Sequence, residues 1–350
     1  MPVELVETLP EDLWQAFVET HPQGNIFHTP AMQAVFARTR GYKPLLRAAV
    51  AGDGRVLALM TAVEIRLVGG PLAGLTSRAV AYGGVLCADG EEGQKALGAL
   101  LLWHNETACQ YGRPAGRPYL FTELRHRSDA TAMSHTFATC GYEHEQELNF
   151  LIDLSRPVED IWGGLSRTAR KNVRRAERDG LTVQEVTTAE EMAEFYALLR
   201  QVYAAAEVPL ADLSLFQAAF ELLRPVGATG RSPLRARFLL ARSPQGLAGA
   251  RVVLLYKGVI FDWYAGADRQ LRGSRPNDFL VWRTLEWGAI HGYHIFDFGG
   301  AGHPDVPYGV RDFKAKFGGR LVNYGRERCV HAPRLLRLSE AAYSLLRRFL

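Results

Sequence analysis

A hairpin pattern that occurs twice constrains the fold of this chain more than any other feature. Residues 45–65 predict two apolar strands around Asp53-Gly54, a dipeptide that favours a tight hairpin turn. Residues 236–256 predict the same arrangement over an equal length, turning at Ser243 to Gly246, and a helical stretch precedes each hairpin (31–40 and 213–223). Two such segments about 190 residues apart predict two copies of one α/β unit.

The length and composition agree with two globular domains. A chain of 350 residues, 47% hydrophobic and 22% charged, has the size for two domains and is neither disordered nor a coiled coil. Its apolar runs are too short to span a membrane, and its first residues are acidic and interrupted by Pro2, unlike a signal peptide. We therefore expect a cytoplasmic protein. The net charge of +4 permits an anionic partner without requiring one.

No metal site or disulfide framework is expected. The four cysteines, Cys87, Cys109, Cys140 and Cys329, are widely spaced and form no C-x-x-C pair. The ten histidines include no H-E-x-x-H motif. We predict that the chain binds no metal.

The boundary between the two copies is expected near residue 150. A short strand, Leu151 to Leu154, precedes Ser155, which is expected to cap a helix with Pro157 in its first turn. Ser166 is expected to cap a second helix, which ends at Gly180. The predicted domains are residues 1–150 together with a C-terminal helix (333–350), and residues 151–332.

The second of these helices carries six cations within 12 residues. They are Arg167, Arg170, Lys171, Arg174, Arg175 and Arg178. A row of guanidinium groups of this kind can neutralise the phosphates of a polyanion. The alternative is a solvated helix face whose arginines pair with nearby acids. The sequence leaves both interpretations open.

The last third of the chain predicts strand (259–264), helix (279–291), strand (294–298), glycine-rich turn and short helix. This order is typical of GNAT-type acyltransferases. Asp297 comes near the end of a strand, just before Gly299 and Gly300, where ligands of open α/β sheets bind. The loop from Gln270 to Arg275 partly matches a pyrophosphate-binding loop and equally fits a charged surface loop.

Several motifs, taken in order, resemble the Fem-type (FemAB/FemX-like) aminoacyltransferases and their BioF2-like relatives with a GNAT acyltransferase domain. The motifs are Phe27-His28-Thr29-Pro30, Tyr82-Gly83-Gly84, the helix with Arg170 and Arg174, Phe296-Asp297-Phe298-Gly299-Gly300, and Phe313-Lys314-x-x-Phe317-Gly318-Gly319. The resemblance implies an α/β (α+β) fold of two tandem GNAT-like domains, with mixed sheets flanked by helices and the donor site in the second domain. The chain departs from the family in two places. It has no long charged helical hairpin between Leu181 and Arg320, and it carries Glu207-Val208-Pro209 where classical members place a basic residue.

The resemblance also implies a reaction, in which an aminoacyl group moves from aminoacyl-tRNA to an amine of a peptidoglycan precursor peptide. No cofactor would be tightly bound. Phe313 and Lys314 fall on the motif that faces the activated donor, and the Lys314 ammonium is the candidate to stabilise the anionic tetrahedral intermediate. Asp297 is the candidate base or amine-orienting group. Tyr264, Tyr308, Gly299, Gly300, Arg170 and Arg174 are candidate substrate-binding residues.

Two other functions stay open. One is a CoA-dependent N-acyltransferase on the same fold, with acyl-CoA as donor. The other is a non-catalytic module that binds a ligand in the same cleft. A G-x-S-x-G motif and a Walker loop are both absent from the sequence, which favours direct transfer.

The tail from Pro333 to Leu350 predicts an amphipathic basic helix. Such a helix can contact the inner membrane surface peripherally. Packing against the first domain is the interpretation that we favour.

Overall fold

The chain folds into two compact units. The computed structural model describes residues 3–66, 76–111, 119–223 and 235–346. Unit 1 consists of Met1–Gln146 and Tyr324–Leu350, and unit 2 of Glu147–Asn323. Among the described residues, none of the helices is both long enough and apolar enough to cross a bilayer.

The first 146 residues supply most of unit 1. Their helices are α1 (Glu11–Thr20), α2 (Pro30–Ala37), α3 (Gly90–Tyr111) and α4 (Ser134–Thr139). Their strands are β1 (Val3–Val6), β2 (Tyr42–Ala51), β3 (Val56–Ile65), β4 (Arg78–Ala81), β5 (Val85–Cys87), β6 (Phe121–Arg125) and β7 (Glu143–Glu145).

Unit 2 is continuous in sequence. Its helices are α5 (Val158–Gly164), α6 (Arg167–Arg178), α7 (Ala189–Ala205), α8 (Leu213–Leu222), α9 (Pro276–Ile290) and α10 (Gly309–Ala315). Its strands are β8 (Leu148–Asp153), β9 (Thr182–Glu185), β10 (Arg235–Ser243), β11 (Gly246–Tyr256), β12 (Val259–Ala267), β13 (Ile295–Asp297) and β14 (Arg320–Asn323).

The chain then returns to unit 1 with β15 (Arg326–Val330) and α11 (Pro333–Leu346). Leu335 and Leu336 of α11 are half-buried, whereas Leu338 is 56% exposed. Residues 347–350 of the predicted tail helix lie outside the described residues.

The two units share one topology, so the predicted duplication is confirmed. In unit 1 a β2–β3 hairpin is followed by antiparallel β4, then α3, then β6 parallel to β4. In unit 2 the β10–β11 hairpin is followed by antiparallel β12, then α9, then β13 parallel to β12. Each hairpin follows a strand and two helices, and that strand pairs with the first strand of the hairpin. The mixed sheets flanked by helices are therefore those that the sequence predicted.

Strand pairing fixes where each unit begins and ends. β8 lies between β13 and β14 in the sheet of unit 2, so residues 148–150 belong there and not to the predicted first domain. β15 lies between β6 and β7 in the sheet of unit 1, so residues 324–332 belong there and not to the predicted second domain. The amino-acid composition does not change near residues 147 and 324. The sequence pattern therefore gave no sign of either boundary between the units.

Two predicted helix starts in unit 2 are wrong. Ser155 does not cap α5, because its N–H and hydroxyl both bind Asp153 Oδ1, and Pro157 occupies the N-cap position. α9 begins at Pro276, three residues before the predicted start, because the fixed φ of proline suits the first helical position. The predicted cap of α6 is confirmed, since Ser166 Oγ accepts from Ala169 N at 3.1 Å.

An apolar core of unit 2 lies on the α6 and α9 side of its sheet. Ala169, Val173 and Ala176 of α6 are fully buried and form an apolar stripe at helical spacing. They pack with residues of α9 and with Val253 and Leu255 of β11. This packing fixes α6 so that its charged face points away from the core.

Gly319 offers a test of the close packing beside β8. A Cβ at this position would lie 2.6 Å from the Leu151 carbonyl oxygen, and its φ is +89°. We expect Gly319→Ala to lower the free energy of unfolding by about 2 kcal/mol, because both strain and overlap act against the side chain. Gly163→Ala is the control, since nothing lies within 4 Å of a Cβ there. Urea unfolding followed by circular dichroism measures both; equal midpoints would contradict this account of Gly319.

A chain of hydrogen bonds connects the buried His104 to the half-buried His331 in unit 1. His104 Nε2 lies 2.9 Å from Thr122 Oγ1, which lies 2.8 Å from His331 Nε2. Burial lowers the pKa of His104 to about 3 and that of His331 to about 4. Both imidazoles are therefore neutral in the folded protein at neutral pH.

This pair predicts an acid-sensitive unit 1. In the unfolded chain each histidine takes up a proton near its usual pKa of about 6.5, so acid favours unfolding. The free energy of unfolding should fall by up to about 1.4 kcal/mol per pH unit for each histidine as the pH drops from about 6.5 to about 4. His331→Gln keeps a hydrogen-bonding side chain without the titration and should give a shallower slope. Urea titrations at several pH values test this, and identical slopes would contradict it.

Candidate active site in the second unit

A gap opens in the sheet of unit 2 between β12 and β13. β12 pairs with β11 along its whole length, but with β13 only from Val259 to Phe261. A bulge at Trp263 shifts the β11–β12 register at the same level. The next four residues, 262–265, are all half-buried although they belong to an inner strand. The gap therefore exposes an edge of β12 within the sheet.

A glycine turn follows β13 and returns across this gap. Asp297 is 4% exposed, and its Oδ1 accepts from Gly299 N at 2.7 Å and from Asn149 Nδ2 at 2.6 Å. A Cβ on Gly299 would lie 3.0 Å from the Asp262 carbonyl oxygen, and φ there is +82°. Only glycine permits this approach. Asp297 thus supports the turn as a hydrogen-bond acceptor, a contact that the sequence did not predict; its role as a base stays a prediction.

Lys314 holds the same turn. It lies on the short helix α10, is half-buried, and donates from Nζ to the Phe298 carbonyl at 2.7 Å and to the Gly300 carbonyl. Its Nζ is also 5.5 Å from the centre of the Phe298 ring. The ammonium group is thus directed towards the turn after β13 and not into bulk water. The adjacent Phe313 packs edge-on to Phe317 at 5.3 Å, next to the core.

Arg311 is a residue of this region that sequence reasoning missed. Its guanidinium donates to the carbonyls of Ala301, Pro304 and Val306 at 2.9–3.0 Å, and also to that of His303. One side chain therefore fixes the loop between β13 and α10. The usable signal was an arginine three residues before Lys314, after a loop of glycine and proline whose carbonyls need donors.

Both predicted tyrosines lie near Tyr203. Tyr264 is half-buried and packs edge-on to Phe216 at 5.0 Å, with Tyr203 at 6.0 Å. Burial, the nearby Asp262 charge and Tyr308 raise the pKa of Tyr203 to about 12, while a backbone hydrogen bond with Ala265 opposes the rise. Tyr308 is 44% exposed and lies beside Gly302. Tyr203, which the sequence analysis did not name, thus contacts the exposed edge of β12.

A buried ion pair lies at the same level of the sheet. Arg251 of β11 is 1% exposed, and its Nη1 is 2.5 Å from Asp262 Oδ1. Neither residue was predicted, because an alternating strand gives no sign of which polar positions face inward.

The basic residues of α6 form a charged surface, which we call the α6 face. Arg167, Lys171, Arg174, Arg175 and Arg178 are exposed. Within the described residues only Arg175 of this set pairs with a carboxylate, Asp179 at 3.4 Å. Arg170 is half-buried and donates to the Gly163 carbonyl at 3.0 Å, and the Arg174 guanidinium lies 5.6 Å from the Trp162 ring. The alternative interpretation, in which neighbouring acids neutralise this helix face, therefore accounts for little of its charge.

The α6 face adjoins the start of α9. Asn172 Nδ2 donates to Asp278 Oδ1 at 3.0 Å, in the first turn of α9. α6 also packs against the 3₁₀ turn Arg272–Ser274 that precedes this helix. The exposed cations of α6 and of this loop therefore flank the end of β12.

A surface groove of about 640 Å³ lies elsewhere in unit 2. Asp153, Ser155, Arg156, His294 and Arg320 contribute to its walls. It contains none of the predicted site residues, so it is separate from the gap beside β12.

Residues 165–315 match the family model of the acetyltransferase (GNAT) domain. Unit 2 therefore carries a GNAT acetyltransferase domain. The expectation of an acyltransferase is confirmed at the level of that domain, and a purely ligand-binding module is disfavoured. No curated protein sequence matches the chain.

Solved structures extend the likeness to both units. FemX is similar at 15% identity with a TM-score of 0.67, covering 96% of this chain and 99% of its own. A tandem GNAT protein from the clavulanic acid biosynthesis pathway is similar at 14% identity and 0.59, covering 95% and 99%. L-PGS from Bacillus licheniformis is similar at 16% identity and 0.57, covering 95% and 97%. At these identities the likeness concerns the fold, and it confirms the predicted tandem GNAT-like architecture.

Lys314 gives the direct test of this site. We expect Lys314→Met to lower acyl transfer by about 100-fold, because both the cation and the support of the turn carbonyls are lost. Lys316→Met is the matched control, since Lys316 lies two residues away and its Nζ is over the Phe313 ring at 5.1 Å. Initial rates of amide formation measure both. Equal rates for the two variants would remove Lys314 from the site.

Proposed function

We propose that this chain transfers an aminoacyl group from aminoacyl-tRNA to a primary amine of a peptidoglycan precursor peptide. The observation that carries acyl transfer is the Lys314 ammonium, hydrogen-bonded at the turn that crosses the gap beside β12. The GNAT acetyltransferase domain at 165–315 supports the same class of reaction.

The proposed reaction needs a fixed positive charge near the carbonyl oxygen of the donor and a path for one proton. The acceptor nitrogen attacks the ester carbonyl, the C–N bond forms, and negative charge develops on the carbonyl oxygen. That charge is stabilised by the Lys314 ammonium, an effect worth about 3 kcal/mol for one such donor. The intermediate collapses by breaking the C–O bond to the tRNA ribose, and the proton lost by the amine ends on that leaving oxygen. Asp297 is proposed either to accept this proton from the amine and pass it to the leaving oxygen, or to orient the amine while the proton moves directly.

The α6 face supports a tRNA donor. Its cations extend along a 12-residue helix, about 18 Å at 1.5 Å per residue. A row of this length suits successive phosphates of a nucleic acid, whereas the phosphates of CoA are grouped within one small molecule. Arg170 and Arg174 are the proposed phosphate contacts nearest Trp162. The proposed acceptor, a peptidoglycan precursor peptide, rests on the resemblance of the ordered motifs to the Fem-type aminoacyltransferases. We place the proposed aminoacyl-tRNA reaction in the cytoplasm.

The second candidate is CoA-dependent N-acyl transfer. It is favoured by the exposed edge of β12, which ends beside the loop 268–275 and the start of α9. An extended acyl-CoA can pair with such an edge while its pyrophosphate meets the helix N-terminus. Incubation with aminoacyl-tRNA or with acetyl-CoA distinguishes the donors. Amide formation with the thioester alone would overturn the tRNA proposal.

The α6 face predicts salt-dependent tRNA binding. Removing two cations in the double variant Lys171→Gln/Arg174→Gln should weaken tRNA binding about tenfold near 0.1 M salt, and should lower the slope of log Kd against log salt by nearly two. Arg156→Gln is the control, an exposed arginine near Asp153 at 3.7 Å on another surface. Filter binding across a salt series measures this. An unchanged slope in the double variant would exclude the α6 face.

A further inference from the structure

The buried ion pair between Arg251 and Asp262 has an uneven exposure. The side chain of Arg251 is 2% exposed and that of Asp262 10%, so the carboxylate is the member that reaches solvent. Arg251 Nε is buried without a hydrogen-bond partner among the described residues, and Nη1 approaches Asp262 without hydrogen-bond geometry. The pair is thus close in distance but incompletely satisfied.

Such a pair is costly to keep inside a sheet. Transferring two charges out of water costs several kcal/mol per ion, and a well-packed apolar pair often replaces them without loss. β11 and β12 are otherwise apolar on this side, with Val253, Leu255 and Ile260 fully buried. Packing alone therefore gives no reason for a carboxylate at 262, whereas a ligand that needs an anion does.

Asp262 lies where a reacting group would be held. It is the first residue of β12 beyond the pairing with β13, and its carbonyl oxygen is 3.0 Å from a Cβ built on Gly299. The turn there is the one that Lys314 supports. The Asp262 charge also reaches Tyr203, whose ring is 6.0 Å from that of Tyr264. A carboxylate with aromatic rings nearby can attract an organic ammonium group through both its charge and the ring faces.

We propose that Asp262 binds a primary ammonium group of the substrate, and that this group is the α-ammonium of the aminoacyl donor. Arg251 is a positioning residue that holds the carboxylate in place. β12 runs from Asp262 to the loop before α9, where the α6 face would hold donor phosphates, so the acyl end of a donor lying along this edge meets Asp262. The inference rests on the proposed function for the donor. The acceptor amine has the same chemistry, and the experiment separates the two sources.

The test compares two isosteric donors on the full chain. Alanyl-tRNA and lactyl-tRNA made from the same tRNA differ only in an α-ammonium or an α-hydroxyl. The wild type should prefer the alanyl donor by at least tenfold in kcat/KM, and Asp262→Asn should bring the ratio to within about threefold of one. The ratio within one variant does not depend on how much of it is folded. Glu185→Gln, which loses a carboxylate 2.8 Å from Arg237 at the sheet edge, is the matched control and should keep the preference.

Asp262→Asn alone leaves the buried Arg251 guanidinium without its counter-charge, so the test includes a second variant. Arg251→Gln/Asp262→Asn removes both charges and should also lose the preference. A wild type without preference, or a preference kept in both variants while the acceptor KM is unchanged, would overturn the proposal. A preference kept together with a tenfold higher acceptor KM at unchanged kcat would overturn the donor assignment and move the ammonium site to the acceptor.

The same measurements test the proposed tRNA donor separately from the ammonium site at Asp262. If only acetyl-CoA supports turnover, the tRNA donor is wrong. The acceptor KM of Asp262→Asn, measured with acetyl-CoA, then decides the ammonium site by itself: a rise of tenfold or more supports it, and an unchanged KM overturns it.

Discussion

The early end of the pairing between β12 and β13 is the constraint on which the rest of unit 2 depends. Backbone N–H and C=O groups inside a sheet need partners, and β12 has none from β13 after Phe261. Some of these backbone groups have partners outside the sheet, since the backbone of Ala265 has a hydrogen bond with Tyr203. The remaining edge is the natural place for an extended substrate. The bulge at Trp263 and the glycine turn after β13 both lie at this level, and both serve to keep the gap open.

Three cations around this gap act on the protein itself. Lys314 binds two carbonyls of the glycine turn, Arg311 binds four carbonyls of the following loop, and Arg251 neutralises Asp262 inside the sheet. Irregular backbone exposes carbonyl oxygens that strands and helices would otherwise pair, and long basic side chains can reach them. Lys314, the proposed catalytic cation, is therefore also a support of the glycine turn. Loss of one such side chain would alter geometry and electrostatics together.

The sequence predicted the repeated unit, the tandem GNAT-like architecture and the Ser166 cap of α6. These features depend on periodicity and on contacts within a few residues, which a single sequence displays. It could not predict that Asp297 serves Gly299 and Asn149, or that Arg251 meets Asp262, because those partners are brought together by strand register. The register shift at Trp263 also interrupts the usual alternation of side chains between the two faces of β12, next to the gap. Arg311 was overlooked for a simpler reason: an arginine on a short exposed helix resembles an ordinary surface residue.

The placement of β15 has a consequence for how the protein is made on the ribosome. Unit 2 is uninterrupted from Glu147 to Asn323 and can complete its sheet as soon as that stretch has emerged. Unit 1 cannot, because β15 separates β6 from β7 and arrives last. Its earlier strands must wait, with an unfilled slot in the sheet, while about 180 further residues are translated. In vectorial synthesis the later half thus becomes native before the earlier one, and any chaperone requirement should concern the earlier half.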